Sequence, residues 1–144
     1  KKSRGVVVGR CMTYQPDPRL AERAKENVAW LTTISPKGRP SPRPVWFVLD
    51  GEDFIVFSQP DTAKTRHIEA NSEVSLHFNS DEHGGSILVI GGKAEILPDG
   101  LASEQPGFLA KYEKHYPAID YDVPKFDREY SVRIRIRPER TWGF

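Results

Sequence analysis

Only one cysteine, Cys11, occurs in 144 residues, so no intramolecular disulfide can form. A chain of this length buries roughly two-thirds of the surface its unfolded form exposes, enough for one core without staples. The lone thiol suits a reducing compartment, and cytoplasmic residence is the expectation. Neither sign of charge dominates: 21 Lys+Arg stand against 20 Asp+Glu, a net charge of +1. No global field therefore draws the chain to nucleic acid or to an anionic membrane, and any anionic partner must be met locally. Long apolar runs are missing too. Runs such as Ile87 to Ile90 are far short of the ~20 residues that span a bilayer, and that one reads as a buried strand. The opening KKSRGVVVGR carries charge but no apolar stretch or small-residue cleavage site, so it does not read as a secretory signal. Residues 1–16 are set apart as a leader or extension and 17–144 as a single domain.

Self-contained catalytic machinery is also lacking. There is no Gly-rich phosphate loop between a strand and a helix, no CxxC, no HExxH and no nucleophile elbow. The 4 histidines, His67, His77, His83 and His115, are scattered. Only Asp81-Glu82-His83 gathers metal-ligand types, and three consecutive loop residues do not easily face one ion. No metal ligand and no catalytic side chain is assigned. An enzyme with this sequence leaves its chemistry to a cofactor.

What is present reads mainly as strand. Asp17-Pro18 is a helix-start signal, and Leu20, Ala24 and Val28 recur at a spacing of four, which predicts about three turns ending near Asn27. β-Branched and aromatic residues then fill Val28–Ser35, a turn follows at Pro36–Arg39, and Ser41–Asp50 reads as a second extended run. After another turn, Phe54–Ser58 is a third strand, so these three form an antiparallel meander. A helix runs through about Ala70, Glu73–Asn79 is a fourth strand, and Ser86–Leu97 is a long one whose Gly91-Gly92 pair marks a bulge or a close backbone approach. Around Gly107–His115 a helix is predicted; the following HYPAIDYDVPKF shows no clear period and is placed on the surface. In the last strand Tyr130, Val132, Ile134 and Ile136 alternate with Ser131, Arg133, Arg135 and Arg137. About six strands with two or three short helices protect their edges best by closing into a small antiparallel barrel.

Three features bear on function. In Ser58-Gln59-Pro60-Asp61-Thr62-Ala63-Lys64-Thr65-Arg66-His67, Lys64 and Arg66 sit in the first turns of a helix and Glu69 near its end, the wrong polarity for the macrodipole. Either an anion docks on the amides of Thr62, Ala63 and Lys64 beside the Thr62 hydroxyl, or Asp61 caps the helix and both cations extend into solvent. In Arg43-Pro44-Val45-Trp46-Phe47, Pro44 leaves the strand open on one side. Open amides beside a Trp suit a flat ring with a polar rim; a sheet edge with Trp46 in the core fits equally. The ladder of Arg133, Arg135 and Arg137 is either a solvated face or the seat of an anion lying along the strand.

These residues together resemble the pyridoxamine-phosphate-oxidase-like split-barrel family, over about Leu20 to Phe144, and within it the branch that uses the deazaflavin coenzyme F420. The Arg43-Pro44-Val45-Trp46-Phe47 stretch is similar to the strand that runs under the tricyclic ring. Thr62-Ala63-Lys64, followed by Asn71-Ser72-Glu73-Val74, resembles the family's phosphate motif and its helix end. Ala63 stands where arginine is usual and Ser72 where proline is usual, which leaves room for a tail other than that of FMN. The ending Arg137–Phe144 is similar to the same branch. The resemblance implies a six- to seven-stranded split β-barrel of the FMN-binding type, acting as a homodimer with the cofactor at the subunit interface. Arg43, Pro44, Val45, Trp46, Phe47, Ser58, Thr62, Ala63, Lys64 and Arg66 would then hold coenzyme F420, or FMN in the alternative. The implied activity is an F420H2-dependent reductase passing hydride to an electron-poor small molecule such as a conjugated carbonyl, a quinone or a tetrapyrrole. An FMN oxidase or flavin reductase, or a non-enzymatic flavin- or tetrapyrrole-binding barrel, is the competing reading; no nucleic acid and no membrane partner is expected.

Overall fold

The computed structural model describes residues 14–144, so the leader or extension expected over 1–16 falls largely outside the described residues. Near its start Asp17 accepts from the Arg19 backbone N–H at 2.8 Å, and a single turn follows, α1 (Leu20–Arg23). The expected three turns do not form. Buried Arg23 instead donates to the carbonyls of Ser86 and Asn79, both at 2.7 Å, which ties this turn to the connection between the strands Glu73–His77 and Val89–Leu97.

Seven strands follow: β1 (Ala29–Ile34), β2 (Pro40–Val45), β3 (Val48–Asp50), β4 (Asp53–Ser58), β5 (Glu73–His77), β6 (Val89–Leu97) and β7 (Val132–Trp142). They form one antiparallel sheet ordered β2-β1-β5-β6-β7-β4-β3. The run expected over Ser41–Asp50 is therefore two strands at opposite ends of the order, and the expected meander is two separate hairpins, β1–β2 and β3–β4. Trp46-Phe47 alone joins them. Such a link spans at most about 11 Å, so the first and last strands must meet and the sheet curls into a barrel with an unpaired seam. Pro40, Pro42 and Pro44 occupy alternate positions of the edge strand β2. Their missing N–H groups all point away from β1, so the ladder loses nothing and the edge offers no donor to another chain.

Two cores lie on either side of this wall. Leu31, Phe47, Phe54, Val56, Leu76, Ile90, Ile134 and Ile136 fill the barrel. Ile55 and Phe57 face outward from β4 into a second cluster, which explains why Phe54–Phe57 is apolar at every position. The cover comes from residues 98–131, with short helices α3 (Phe108–Tyr112) and α4 (Val123–Glu129). The segment HYPAIDYDVPKF lies at the surface as expected, with Pro117–Asp120 exposed, but it turns Tyr116 and Phe126 inward, and Asp122 caps α4 through the Lys125 N–H at 2.9 Å. Tyr130 is not in β7; it ends α4 and stacks on Phe126 at 4.4 Å. The register of β6 against β7 shifts between Gly91 and Gly92, and a Cβ on Gly92 would lie 2.1 Å from the Arg137 carbonyl oxygen. Bulge and close approach are both realised there.

Candidate functional site

Beside the seam lies a cleft of about 450 Å³. The barrel contributes Val28, Pro44, Val45, Trp46, Phe57 and Lys64 to its lining, and the cover contributes Phe108, Ile119, Phe126 and Tyr130. Lys64 is the one charged residue among them. Trp46 is held face to face with Tyr112, ring centroids 4.4 Å apart and 2° from parallel, and its other stacked neighbours are Tyr116 and Phe126. The lining is thus a rigid aromatic slab with one cation.

That cation is placed by α2 (Ala63–Ala70), whose cap is Thr62 rather than Asp61: the Thr62 Oγ1 accepts from the Thr65 N–H at 3.4 Å. Thr62 Oγ1 also lies 3.3 Å from Ser58 Oγ, and buried Ser58 donates to the Gln59 carbonyl at 2.8 Å. These two hydroxyls build the helix start, so the expected Thr62 hydroxyl beside an anion is already engaged. Ala63 and Lys64 carry the first amides of the helix, which have no partner within it. Burial lowers the Lys64 pKa, and nearby Arg43 lowers it further. Burial also lowers that of Arg43, whose Nη2 donates to Ser41 Oγ at 2.6 Å. Among the described residues neither cation has a carboxylate within ion-pair distance. A pair of partly desolvated cations with no counter-charge is an electrostatic vacancy for an anion.

The other expected site residues divide. Arg43, Pro44, Val45, Trp46 and Lys64 gather at or beside the cleft. Phe47 does not: it is wholly buried in the barrel, pointing away from Trp46 as alternation along an extended chain requires. Arg66 folds back over the helix start and donates to the Asp61 carbonyl at 2.6 Å, exposed to solvent. The strand edge offers carbonyl oxygens rather than the expected open amides, because prolines hold its outward positions. The arginine ladder has its own partners: Arg137 with Glu95 at 2.9 Å, Arg135 with Asp53 at 3.4 Å, and Arg133 with Asp99 at 3.4 Å. Asp81 of the acidic loop accepts from the N–H groups of His83 and Gly85, which closes its own turn.

The helix expected around Gly107–His115 forms, as α3 and the turn Glu113–His115, but sequence reasoning missed that its aromatics and those of the next segment build a cover over the cleft. Phe108, Tyr112 and Tyr116 recur at a spacing of four, the signal used for the first helix, and Asp122 with Pro124 repeats the start signal of Asp17-Pro18. Both were legible.

The fold recurs in solved structures. The chain is similar to one described as an F420 reductase, with 24% identity over 89% of this chain and 98% of that one, TM-score 0.66. It is also similar to HutZ, the heme storage protein from Vibrio cholerae, at 18% identity over 88% and 93%, TM-score 0.62. A conserved hypothetical protein from Mycobacterium tuberculosis superposes with TM-score 0.68 at 17% identity, over 94% of this chain and 88% of that one. No curated protein matches in sequence. No helix among the described residues is long and apolar enough to cross a membrane. The family model for pyridoxamine 5'-phosphate oxidase matches residues 17–143, nearly the whole described chain and all seven strands. The seam, the closed antiparallel sheet and that match agree: the chain is a split-barrel member of the pyridoxamine 5'-phosphate oxidase family, which binds flavins and includes oxidoreductases.

Proposed function

We propose that the chain is an oxidoreductase that holds a deazaflavin, coenzyme F420, in this cleft, within a homodimer whose subunit interface completes the site. The observation that carries this reading is the asymmetry of the cleft: a flat aromatic, apolar slab with Lys64 and Arg43 uncompensated at one part of it. A ligand that is planar and apolar at one end and anionic at the other matches that charge pattern. Lys64, Arg43 and the first amides of α2 would bind the anionic tail. Val45 and Trp46 would support the ring, and the carbonyls along the proline edge would accept from its N–H. Bound there, the coenzyme supplies hydride for an electron-poor acceptor such as a conjugated carbonyl, a quinone or a tetrapyrrole. The protein's part is to orient the ring and exclude water with the aromatic cover. Among the residues lining the cleft none is a carboxylate or histidine, so no protein acid or base is assigned.

The likeness to an F420 reductase supports the deazaflavin, and Ala63 in place of the usual arginine supports a tail other than a compact terminal phosphate. FMN remains the alternative within the family, and the likeness to a heme storage protein keeps a tetrapyrrole-binding barrel as the non-enzymatic one. Equilibrium titration of the purified protein with F420, FMN and hemin, at low and high salt, separates them. F420 is expected to bind at least about tenfold more tightly than FMN, about 1.4 kcal/mol, with affinity falling as salt screens the cations. Equal or tighter FMN binding at low salt would move the assignment to the flavin, and a tight, saturable hemin complex without F420 binding would move it to storage.

A further inference from the structure

The seam corner Trp46-Phe47 belongs to no strand, so the polar groups of its backbone must be satisfied by something other than the sheet. Two neighbouring side chains of α3 do this for Phe47. Its N–H donates to Tyr112 Oη at 2.9 Å. Its carbonyl accepts from Lys111 Nζ at 2.8 Å and lies 3.0 Å from the Tyr112 hydroxyl. The same two groups reach the segment before β1, Lys111 to the Ala24 carbonyl at 2.9 Å and Tyr112 to the Asn27 carbonyl at 2.8 Å. Lys111 Nζ also sits 3.8 Å above the Phe47 ring, a cation–π contact, while the Tyr112 ring is stacked on Trp46. Backbone position and ring plane at the corner are thus both set from the cover.

We infer that Lys111 and Tyr112 are positioning residues for the cleft: by clamping the Phe47 peptide they fix the plane and depth of Trp46, and so couple the cover to ring binding. This rests on the ring-binding reading of the cleft, but its central test needs no cofactor. Burial lowers the Lys111 pKa to about 8, opposed only weakly by Glu26, whose carboxylate is itself paired with Arg23. Tyr112, the other titratable group of the clamp, is shifted upward by its own burial and stays neutral throughout this range. Below about 8 the clamp is cationic; above it the charge assistance and the cation–π contact are lost, and Trp46 is released from one restraint.

In a chain carrying Trp30→Phe and Trp142→Phe, Trp46 is the sole indole fluorophore. Its emission without cofactor is expected to show a transition near pH 8 that vanishes in Lys111→Met and in Lys111→Arg, neither of which titrates there. At pH 7, F420 affinity is expected to fall roughly tenfold in Lys111→Met and in Tyr112→Phe, a lost hydrogen bond's worth, and to be restored largely by Lys111→Arg. A transition that persists unchanged in Lys111→Met overturns the clamp, as does its absence from the parent. Loss of the transition in Lys111→Met with F420 affinity unchanged in every variant overturns the coupling of the clamp to ring binding, whereas a parent that shows the transition but binds no F420 counts against the ring-binding reading instead. Tyr112→Phe keeps the stacked ring, so it reports on the hydroxyl even where Lys111→Met folds poorly.

Discussion

At the residue scale, Lys64 carries most of the functional argument, because its environment makes a stability explanation poor. A lysine held half-buried beside an arginine, without a carboxylate among the described residues, is tolerated rather than required by the fold. Lys64→Ala is therefore expected to weaken F420 binding by roughly 1.5–3 kcal/mol, tenfold to a hundredfold, as loss of a charge-assisted contact does. The melting temperature without cofactor should hold or rise slightly, since a desolvated cation is removed. An unchanged dissociation constant, or a large drop in melting temperature, would contradict the anion assignment. Lys64 was legible in the sequence because its position in a helix's first turn ran against the dipole. Its proximity to Arg43, on a strand three elements earlier, was not, since only the fold brings these two side chains near each other.

At the scale of elements, the seam, the bulge and the cover each follow from local rules, yet they differed in how visible they were. The Gly91-Gly92 bulge could be read from two adjacent glycines inside a long strand, and the crossing that demands them is severe. Gly92→Ala places a Cβ 2.1 Å from the Arg137 carbonyl oxygen and is expected to cost at least about 3 kcal/mol, seen as a lower denaturation midpoint. Gly84→Ala is the control: at φ +83 with no atom within 4 Å of a new Cβ, it should cost only about 1–2 kcal/mol. Comparable losses for the two would mean that backbone conformation, not the approach of β7, selects glycine at 92. The split of Ser41–Asp50 into β2 and β3 was hidden because both halves are extended and Trp46-Phe47 contains no breaker; the bend is imposed by tertiary pairing. The cover was hidden for the opposite reason. Its helices are each of only a few residues, too short for a stable period, so isolated signals at Asp122 and Phe108 carried information that window-based reading dilutes.

At the scale of the molecule, the described residues present a cleft beside a seam and two exposed aromatics elsewhere, Trp142 at 60% and Phe144 at 78% exposure. A second groove, of about 570 Å³, runs past Trp142 and His77 on another face. Exposed large rings of this kind are costly for a monomer and ordinary at an interface. The protein is accordingly expected to sediment as a species of twice 16.3 kDa at micromolar concentration. A monomer that retains tight F420 binding would contradict the shared-interface model. The barrel and the family were legible in the sequence; which face would pair in such a dimer was not, because edge aromatics look alike whether they meet solvent or a partner.

The strand order has one more outcome, for how the protein is made. β7 pairs with β6 on one side and β4 on the other, along eleven residues near the end of the chain. Until it emerges, the native pairings open to the nascent chain are those of β2-β1-β5-β6 and of β3-β4, and the β6 and β4 edges lack their partner. The proline-lined side of β2 is blunted during that interval, but the β6 and β4 edges are not. Synthesis at the usual rate leaves them bare for several seconds after β6 emerges, at ~5–20 residues per second. The closing strand of the barrel is thus also a timer, and the protein is most open to mispairing and chaperone capture in the moments before β7 arrives.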